Sequence, residues 1–543
     1  MGLFASTRRV SGCRAGFLSI FGILLFGSTC FAEYSSLFST SDTCSFCHSS
    51  GFSALIDSGG NELSISGDWG STMMGNAFRD PLFRAKLESE VKRNPKLAGA
   101  IEDKCTTCHA PMARTQAVWD GAQHYSLSEA EGSELAWDSV SCTVCHQIQD
   151  TNLGQKESFS GSYSIRDDRK IFGPYKNVFA NPMLNHVNYL PLYGQQVDKP
   201  ELCATCHTLF TPYVDKDGNI AGEFPEQTPY LEWLNSDYSS PDTYQSCQDC
   251  HMPRIDEPIK ITNRPPWYKK KQSPFWMHHF TGGNTFVLEM LMANRQNLGV
   301  VATDSQFKKT IKRTEERLTN DSAEISVEHT ELDNNRLKVV VKVINKTGHK
   351  FPTGFPSRRV WIRLHVLDGQ EHVLFDSGNW TPQGNIVGLD ENYEQHYDTI
   401  NSSEQVQIYQ AVMGDVEGVL THTLLEAAVY LKDNRLVPKG FVKSGSMTEH
   451  TLMAGKVVDD TNFNMEDGQE GSGADYITYD VLINSGKHPL TVQAQLMYQT
   501  STPRFIENLL VDDTPAVSRL QKMYAQSGND PIVVDSLTLA LAE

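Results

Sequence analysis

Hydrophobic and polar positions follow two different grammars along this chain. From about Asp321 onward, short runs rich in β-branched and aromatic residues alternate with polar ones: "RLKVVVKVIN", "RRVWIRLHVLD", "EHVLFDSG", "QVQIYQAV", "AAVYLKD", "YITYDVLI" and "PLTVQAQLMYQT". Turn residues separate these runs and no helical pattern intervenes, which predicts an antiparallel β-sandwich-like domain over 321–500. Just upstream, "NTFVLEMLMANRQNLG" and "TDSQFKKTIKRTEERLT" carry a helical period and form a connector over 286–320. In the second of these, Phe307, Ile311 and Leu318 share one face, and Asp304 or Ser305 is placed to cap the helix. "PRFIENLLVDDTPAVSRLQKMYAQ" extends the chain as a helical tail over 501–543.

Residues 33–285 are less regular, and the pattern there supports short helices only. In "RDPLFRAKLESEV", Asp80 is the expected N-cap and Pro81 the first helical residue. At the N-terminus, Arg8, Arg9 and Arg14 lead into an apolar run from Ala15 to Phe26 that ends in small residues near Ala32. That is the layout of a cleaved signal peptide over 1–32, its apolar part shorter than the ~20 residues a membrane span needs. No later stretch is apolar over such a length, so no membrane span is expected after cleavage. The expected compartment is the periplasm or the cell exterior.

Cysteine changes the picture. Two of the twelve, Cys13 and Cys30, fall in the leader. The other ten form five pairs: Cys44/Cys47, Cys105/Cys108, Cys142/Cys145, Cys203/Cys206 and Cys247/Cys250. Each pair has two residues between its members, and each is followed at once by histidine: His48, His109, His146, His207 and His251. Zinc ribbons have no use for a histidine after every pair, and a disulfide across a two-residue gap constrains little. Two thiols and an adjacent imidazole do match c-type haem: the thiols form thioethers with the porphyrin, and the imidazole binds iron from the proximal side. The sequence therefore predicts five covalent haem c groups, with their porphyrins supplying much of the apolar core of 33–285. The fold class expected is α+β multidomain: a haem-dominated, mostly helical and irregular cytochrome domain, then the sandwich.

Charge narrows the partners. The leader's three arginines take the remaining chain from a formal −19 to −22. So acidic a chain is poorly suited to nucleic acid and well suited to solubility and to steering a redox partner. Lys269, Lys270 and Lys271 in "RPPWYKKKQSPFWMHHF" stand against that background as a solvated loop returning the chain toward a haem. The acidic segment "DDTNFNMEDGQEGSGAD" (459–475) offers oxygens for calcium, but its spacing departs from the EF-hand and a solvated loop is the expectation.

Each iron needs a sixth ligand or leaves a site open. His124, His186, His278 and His279 are the free histidines of the haem half, and His349 follows in "NKTGHKFPTG". Met73 and Met74, near the first motif in sequence, compete for the same role.

"CTTCHAP", "CQDCHMP", "PEQTPYLEW" and "GHKFPTG" followed by "RRVWI" resemble the exported multihaem cytochromes of the cytochrome c-554 type. The resemblance implies closely packed haems, mostly bis-histidine ligation and a role in moving electrons. It also implies that His349 is an axial ligand lent by the β domain, and it favours His278 over His279. Nitrite-reducing relatives carry one motif ending in lysine, whereas all five here end in histidine. Hydroxylamine-oxidising relatives carry more haems and a crosslinked tyrosine. The expected function is thus a non-catalytic electron carrier between redox partner proteins. The alternatives are an oxidoreductase with one open haem acting on a small nitrogen or sulfur compound, and a self-assembling filament that conducts electrons.

Overall fold

The computed structural model describes residues 35–389, 393–444, 448–483 and 488–541. The leader, with Cys13 and Cys30, lies outside the described residues. Among the described residues no helix is long and apolar enough to cross a membrane.

The first half is built of helices and small strand pairs. The helix Pro81–Arg93 starts as its sequence dictates: Asp80 accepts the N–H groups of Leu82 and Phe83, and Pro81 occupies the first turn. The helix Ala98–His109 follows and ends in the second cysteine motif. Between the later motifs run β1 (Lys170–Gly173) parallel to β2 (Leu190–Tyr193), and the hairpin β3 (Leu209–Val214) with β4 (Ile220–Gln227). A short antiparallel pair, β5 (Arg254–Ile255) and β6 (Phe275–Trp276), precedes the helices Thr285–Ala293 and Asp304–Arg317. The second of these is capped by Thr303 and not by Asp304 or Ser305. Thr303 and Gln306 form a reciprocal capping box, while Asp304 pairs with Arg295.

The second half is two sheets face to face. β7 (Ala323–Asp333) and β8 (Arg336–Asn345) form a hairpin; β9 (Arg359–Leu367) and β10 (Val373–Ser377) form another. β11 (Thr399–Ile400), β12 (Ile408–Gly414) and β13 (Val429–Asp433) follow, then the small hairpin of β14 (Met465–Glu466) and β15 (Gln469–Glu470). β16 (Ala474–Leu482), β17 (Leu490–Gln499) and β18 (Ile532–Leu541) complete the set. One sheet has the order β13-β12-β9-β17-β18 with β10 also on β9; the other is β11-β16-β8-β7. Alternation sets the core: Leu337, Val339, Val341 and Val343 of β8 and Leu490, Val492, Ala494 and Leu496 of β17 all point into one buried cluster.

The tail differs from its expectation. It holds the helices Pro503–Leu510 and Pro515–Ser527, but its last residues return as β18, paired along nearly all of β17. The tail helices pack on Pro81–Arg93 and the connector helices in one cluster that includes Leu82, Phe286, Phe307, Ile506 and Leu520. Arg93 fixes this joint, binding Asp512, Thr423 and Asn508.

Leu364 of β9 is fully buried between the two sheets. Leu364→Ala is expected to destabilise the sandwich by about 3 kcal/mol through lost burial and a residual cavity. Denaturant unfolding followed by tryptophan fluorescence measures this; a cost under about 1 kcal/mol would mean the site is not packed as described.

Candidate functional site

The haem-motif half leaves a continuous cavity of about 2600 Å3. An ordinary small-ligand pocket holds ~300–1,000 Å3, so this space suits several large ligands rather than one. All ten motif cysteines and all five motif histidines line it. So do His124, His186, His278, His349, Met73 and Met74.

Local helical geometry explains why each motif presents its groups together. His48, His146 and His207 donate their backbone N–H to the carbonyls of Cys44, Cys142 and Cys203. One helical turn thus puts the first cysteine and the histidine on the same face, with the second cysteine beside them. None of the ten cysteines is paired in a disulfide.

Four of the five motif imidazoles are oriented by backbone carbonyls. Nδ1 of His48 faces Ile261 O at 2.9 Å, His109 faces Ala77 O at 3.0 Å, His146 faces Phe172 O at 2.6 Å, and His251 faces Thr281 O at 2.5 Å. A carbonyl can only accept, so each Nδ1 carries the ring proton and each Nε2 keeps a free lone pair. Burial pushes His109 and His251 down to about 4 and His278 to about 3, which preserves the neutral, ligating form. The Phe83 ring stacks on His109 with centroids 3.6 Å apart.

Two rings face partners across the cavity. His146 and His278 have centroids 6.4 Å apart, and His251 and His349 have centroids 6.2 Å apart. With nitrogen–metal bonds of about 2 Å, two imidazoles clasping one metal ion lie about 6 Å apart centre to centre. The cavity volume, the freed Nε2 atoms and this spacing all fit a haem iron between each pair.

The remaining sequence candidates fall as follows. His124 and His186 reach the cavity from exposed positions, His124 beside the helix of the second motif. The Met73–Met74 segment adjoins the third motif in space, for Met74 O accepts the N–H of Val140. His279 does not line the cavity; its Nε2 lies 3.7 Å from Asp68, which also binds Arg313. His349 sits on a loop tied to the sandwich. Asn345 donates to His349 O and Leu436 O, Phe351 pairs with Leu436, and His349 Nδ1 faces Lys350 O at 2.8 Å. Lys350 is fully buried and binds Asp433 at 2.6 Å, beside Arg435.

The sequence could not order the motifs in space; thiol contacts do. Hydrogen-bond contact with Cys142, then burial, pushes the Cys44 thiol far above its ordinary range. Cys206 does the same to Cys108, and Cys247 to Cys203. Burial, and then Cys203 nearby, raise Cys145 to about 12. The first site therefore abuts the third, and the third, second and fifth all adjoin the fourth.

The acidic segment 459–475 is solvated through its middle, over 466–470, and buried on either side of it at 463–464 and 473–475. Phe463 and Asn464 are fully buried, and Asp460 and Asp475 close on His396. Gln407 and Asn434 spend their amide oxygens on the N–H groups of Tyr397 and Gln410, so both turn NH2 groups to His396 Nδ1. The His396 proton must then sit on Nε2, donated to Asp460 at 2.8 Å, which takes the lone pair a metal ion would need. Lys269, Lys270 and Lys271 are exposed, Lys270 at the cavity rim, where Tyr268 stacks on Phe179.

A solved structure, the penta-heme cytochrome c552 from Thermochromatium tepidum, matches this fold with a TM-score of 0.53 and 14% sequence identity. The match covers 94% of this chain and 100% of that one, so the likeness includes the sandwich as well as the cavity-bearing half. No protein-family model and no curated protein sequence matches the chain.

The charges behind the His349 loop yield a pH prediction. Burial opposes ionisation of Asp433, but Arg435 and Lys350 overcome it and hold the carboxyl at about 2. An unfolded aspartate titrates near ~3.9, so this group's contribution of about 2–3 kcal/mol is complete above that pH and is lost as pH falls through about 2. Asp433→Asn should lower the melting temperature at pH ~5 and flatten its decline toward pH ~2. An unchanged slope in calorimetry would count against the charge assignment.

Proposed function

We propose that the protein is an exported c-type cytochrome of the c-554 kind that carries electrons through five covalently attached haems. One observation carries this reading: every Cys-x-x-Cys-His group opens onto the same cavity, and in four of the five a backbone carbonyl on Nδ1 leaves the imidazole Nε2 free for ligation. Bound haem would supply reversible one-electron chemistry at iron.

The chain's own residues do the rest. The ten cysteines would hold the porphyrins, and His48, His109, His146, His207 and His251 would bind iron from the proximal side. His278 would complete the third site and His349 the fifth, as the ring spacings support. His124, His186, Met73 and Met74 are the candidates for the other three. Arg264, Arg317, Arg358 and Lys104 line the cavity and can neutralise propionates. Contact between neighbouring motifs sets spacing short enough for electrons to pass from site to site. Donor and acceptor would be redox proteins met outside the cytoplasm, the net negative charge favouring a basic face on the partner.

A second reading, an oxidoreductase with one open iron, is favoured by a polar recess beside the second motif. Glu226, its pKa raised by burial, the Lys86–Glu90 ion pair and Thr211 all line the cavity there. These groups could hold or move a proton at a small bound molecule.

Haem analysis and spectroscopy separate the two. The holoprotein should contain five haems per chain, and Cys203→Ala with Cys206→Ala should remove one. An EPR spectrum of the oxidised protein showing five low-spin irons, unmoved by nitrite or hydroxylamine, supports the carrier. A high-spin signal that shifts with either reagent supports the oxidoreductase, and fewer than five haems in the unmodified protein overturns the stoichiometry.

A further inference from the structure

Two stretches far apart in sequence, around Trp233 and around His349, meet at one buried carboxylate. Glu232 belongs to the helix Pro229–Leu234 in the haem-motif half and is fully buried. Its Oε2 accepts the backbone N–H of Lys350 at 3.0 Å and the hydroxyl of Thr353 at 2.5 Å. Its Oε1 lies 3.2 Å from Arg435 Nη1, an ion contact without an aligned hydrogen bond. Lys350 and Arg435 in turn share Asp433, at 2.6 and 2.7 Å. Two carboxylates and two cations therefore close a buried, charge-neutral group that crosses from one half of the chain to the other.

The same region supplies the rest of the joint. Asp237 N donates to Lys439 O at 2.8 Å, Asn235 exchanges hydrogen bonds with Val442, and the Tyr238 hydroxyl donates to Lys346 O at 2.9 Å. A Cβ at Gly348 would come within 3.0 Å of Tyr238 and 3.2 Å of Trp233, so the backbone just before His349 rides directly on this region. The bonds that His349 makes within its own loop, to Lys350 O and the Thr347 hydroxyl, set the rotation of the ring. They do not set the distance of the loop from His251. The bonds to Glu232 and Tyr238 do, because they arise on the haem side.

We infer that Glu232 is a positioning residue for His349: it brackets the loop at Lys350 and Thr353 and fixes the reach of the imidazole toward His251. The fifth site is then complete only when the sandwich is docked, and its iron reports on that docking. This rests on the reading above that His349 ligates the fifth iron.

The test uses the full-length holoprotein, followed by EPR and by potentiometric titration of the haem absorbance. His349→Ala should convert one of five haems to high spin; if all five stay low-spin, the ligation reading itself fails. Glu232→Gln keeps the size of the side chain and removes its charge. It should shift the potential and EPR signal of the same haem that His349→Ala identifies, with an increase of about tenfold in the fraction lacking a sixth ligand, the effect of losing a charge-assisted hydrogen bond. The other four haems should not move. Thr353→Val deletes only the hydroxyl and should shift the same haem by less, so the question is decided even if Glu232→Gln yields no loaded protein. Low-spin spectra and potentials identical to those of the unmodified protein in the folded variants would overturn the proposal.

Discussion

Protein interiors pack at ~0.75 of their volume, about as densely as organic crystals, and voids in them cost the contacts their lining atoms would otherwise make. The haem-motif half meets that standard only at its edges. Its buried clusters, such as the one around Phe78, Met112 and Leu135 or the one around Phe159, Tyr230 and Trp233, sit around the cavity and do not fill it. Val144, Trp233 and Leu288 each present an apolar side chain both to such a cluster and to the open space. A flat apolar group held against these walls would replace the missing contacts. Everything else in this half, from its short helices to its sparse strands, is arranged around that requirement.

The sandwich has no such dependence. Its sheets bury a continuous core from β7 to β18 by simple alternation, and the tail helices lock against Pro81–Arg93. The two halves therefore draw stability from different sources. The joint between them lies where those sources meet: on one side the helix carrying Glu232 and Trp233, on the other the loop carrying His349. A buried ion group is weak evidence for stability, because desolvation cancels much of the attraction, but it is demanding about geometry. Only one arrangement of the two halves pairs all four charges, which is the property a side chain reaching across from the other half requires.

Legibility followed the range of the chemistry. The shared Cys-x-x-Cys-His pattern was plain in the sequence because its geometry is set within one helical turn, and the cap at Asp80 because its donors are two and three residues away. The strands from β8 to β17 were mostly legible because alternation is local too. β7 was passed over although Ile325 and Val327 alternate with polar neighbours, and β18 was hidden behind two real helices. Thr303 was missed as a cap because the adjacent Asp304 has an equally suitable side chain, and only the Arg295 ion pair explains its different use. The choice between His278 and His279 depends on which ring faces His146, a contact between positions more than 130 residues apart. The 459–475 segment misled for the same reason: its polar residues find their partners in His396, Gln407 and Phe441, far along the chain.

The same contrast bears on how such a molecule can be tuned. A histidine within a Cys-x-x-Cys-His turn has its orientation settled by that turn and one carbonyl, so little else in the protein can adjust it. An imidazole carried by the other half of the chain is different, because its reach depends on every bond in the joint. His278 belongs to an intermediate case, on a segment that returns from β6 directly to the cavity. The His349 loop is the extreme one, held by Asn345, Leu436 and Glu232 from both halves of the chain at once. Small changes in how the two halves pack therefore reach the His251–His349 pair first and the turn-bound imidazoles last.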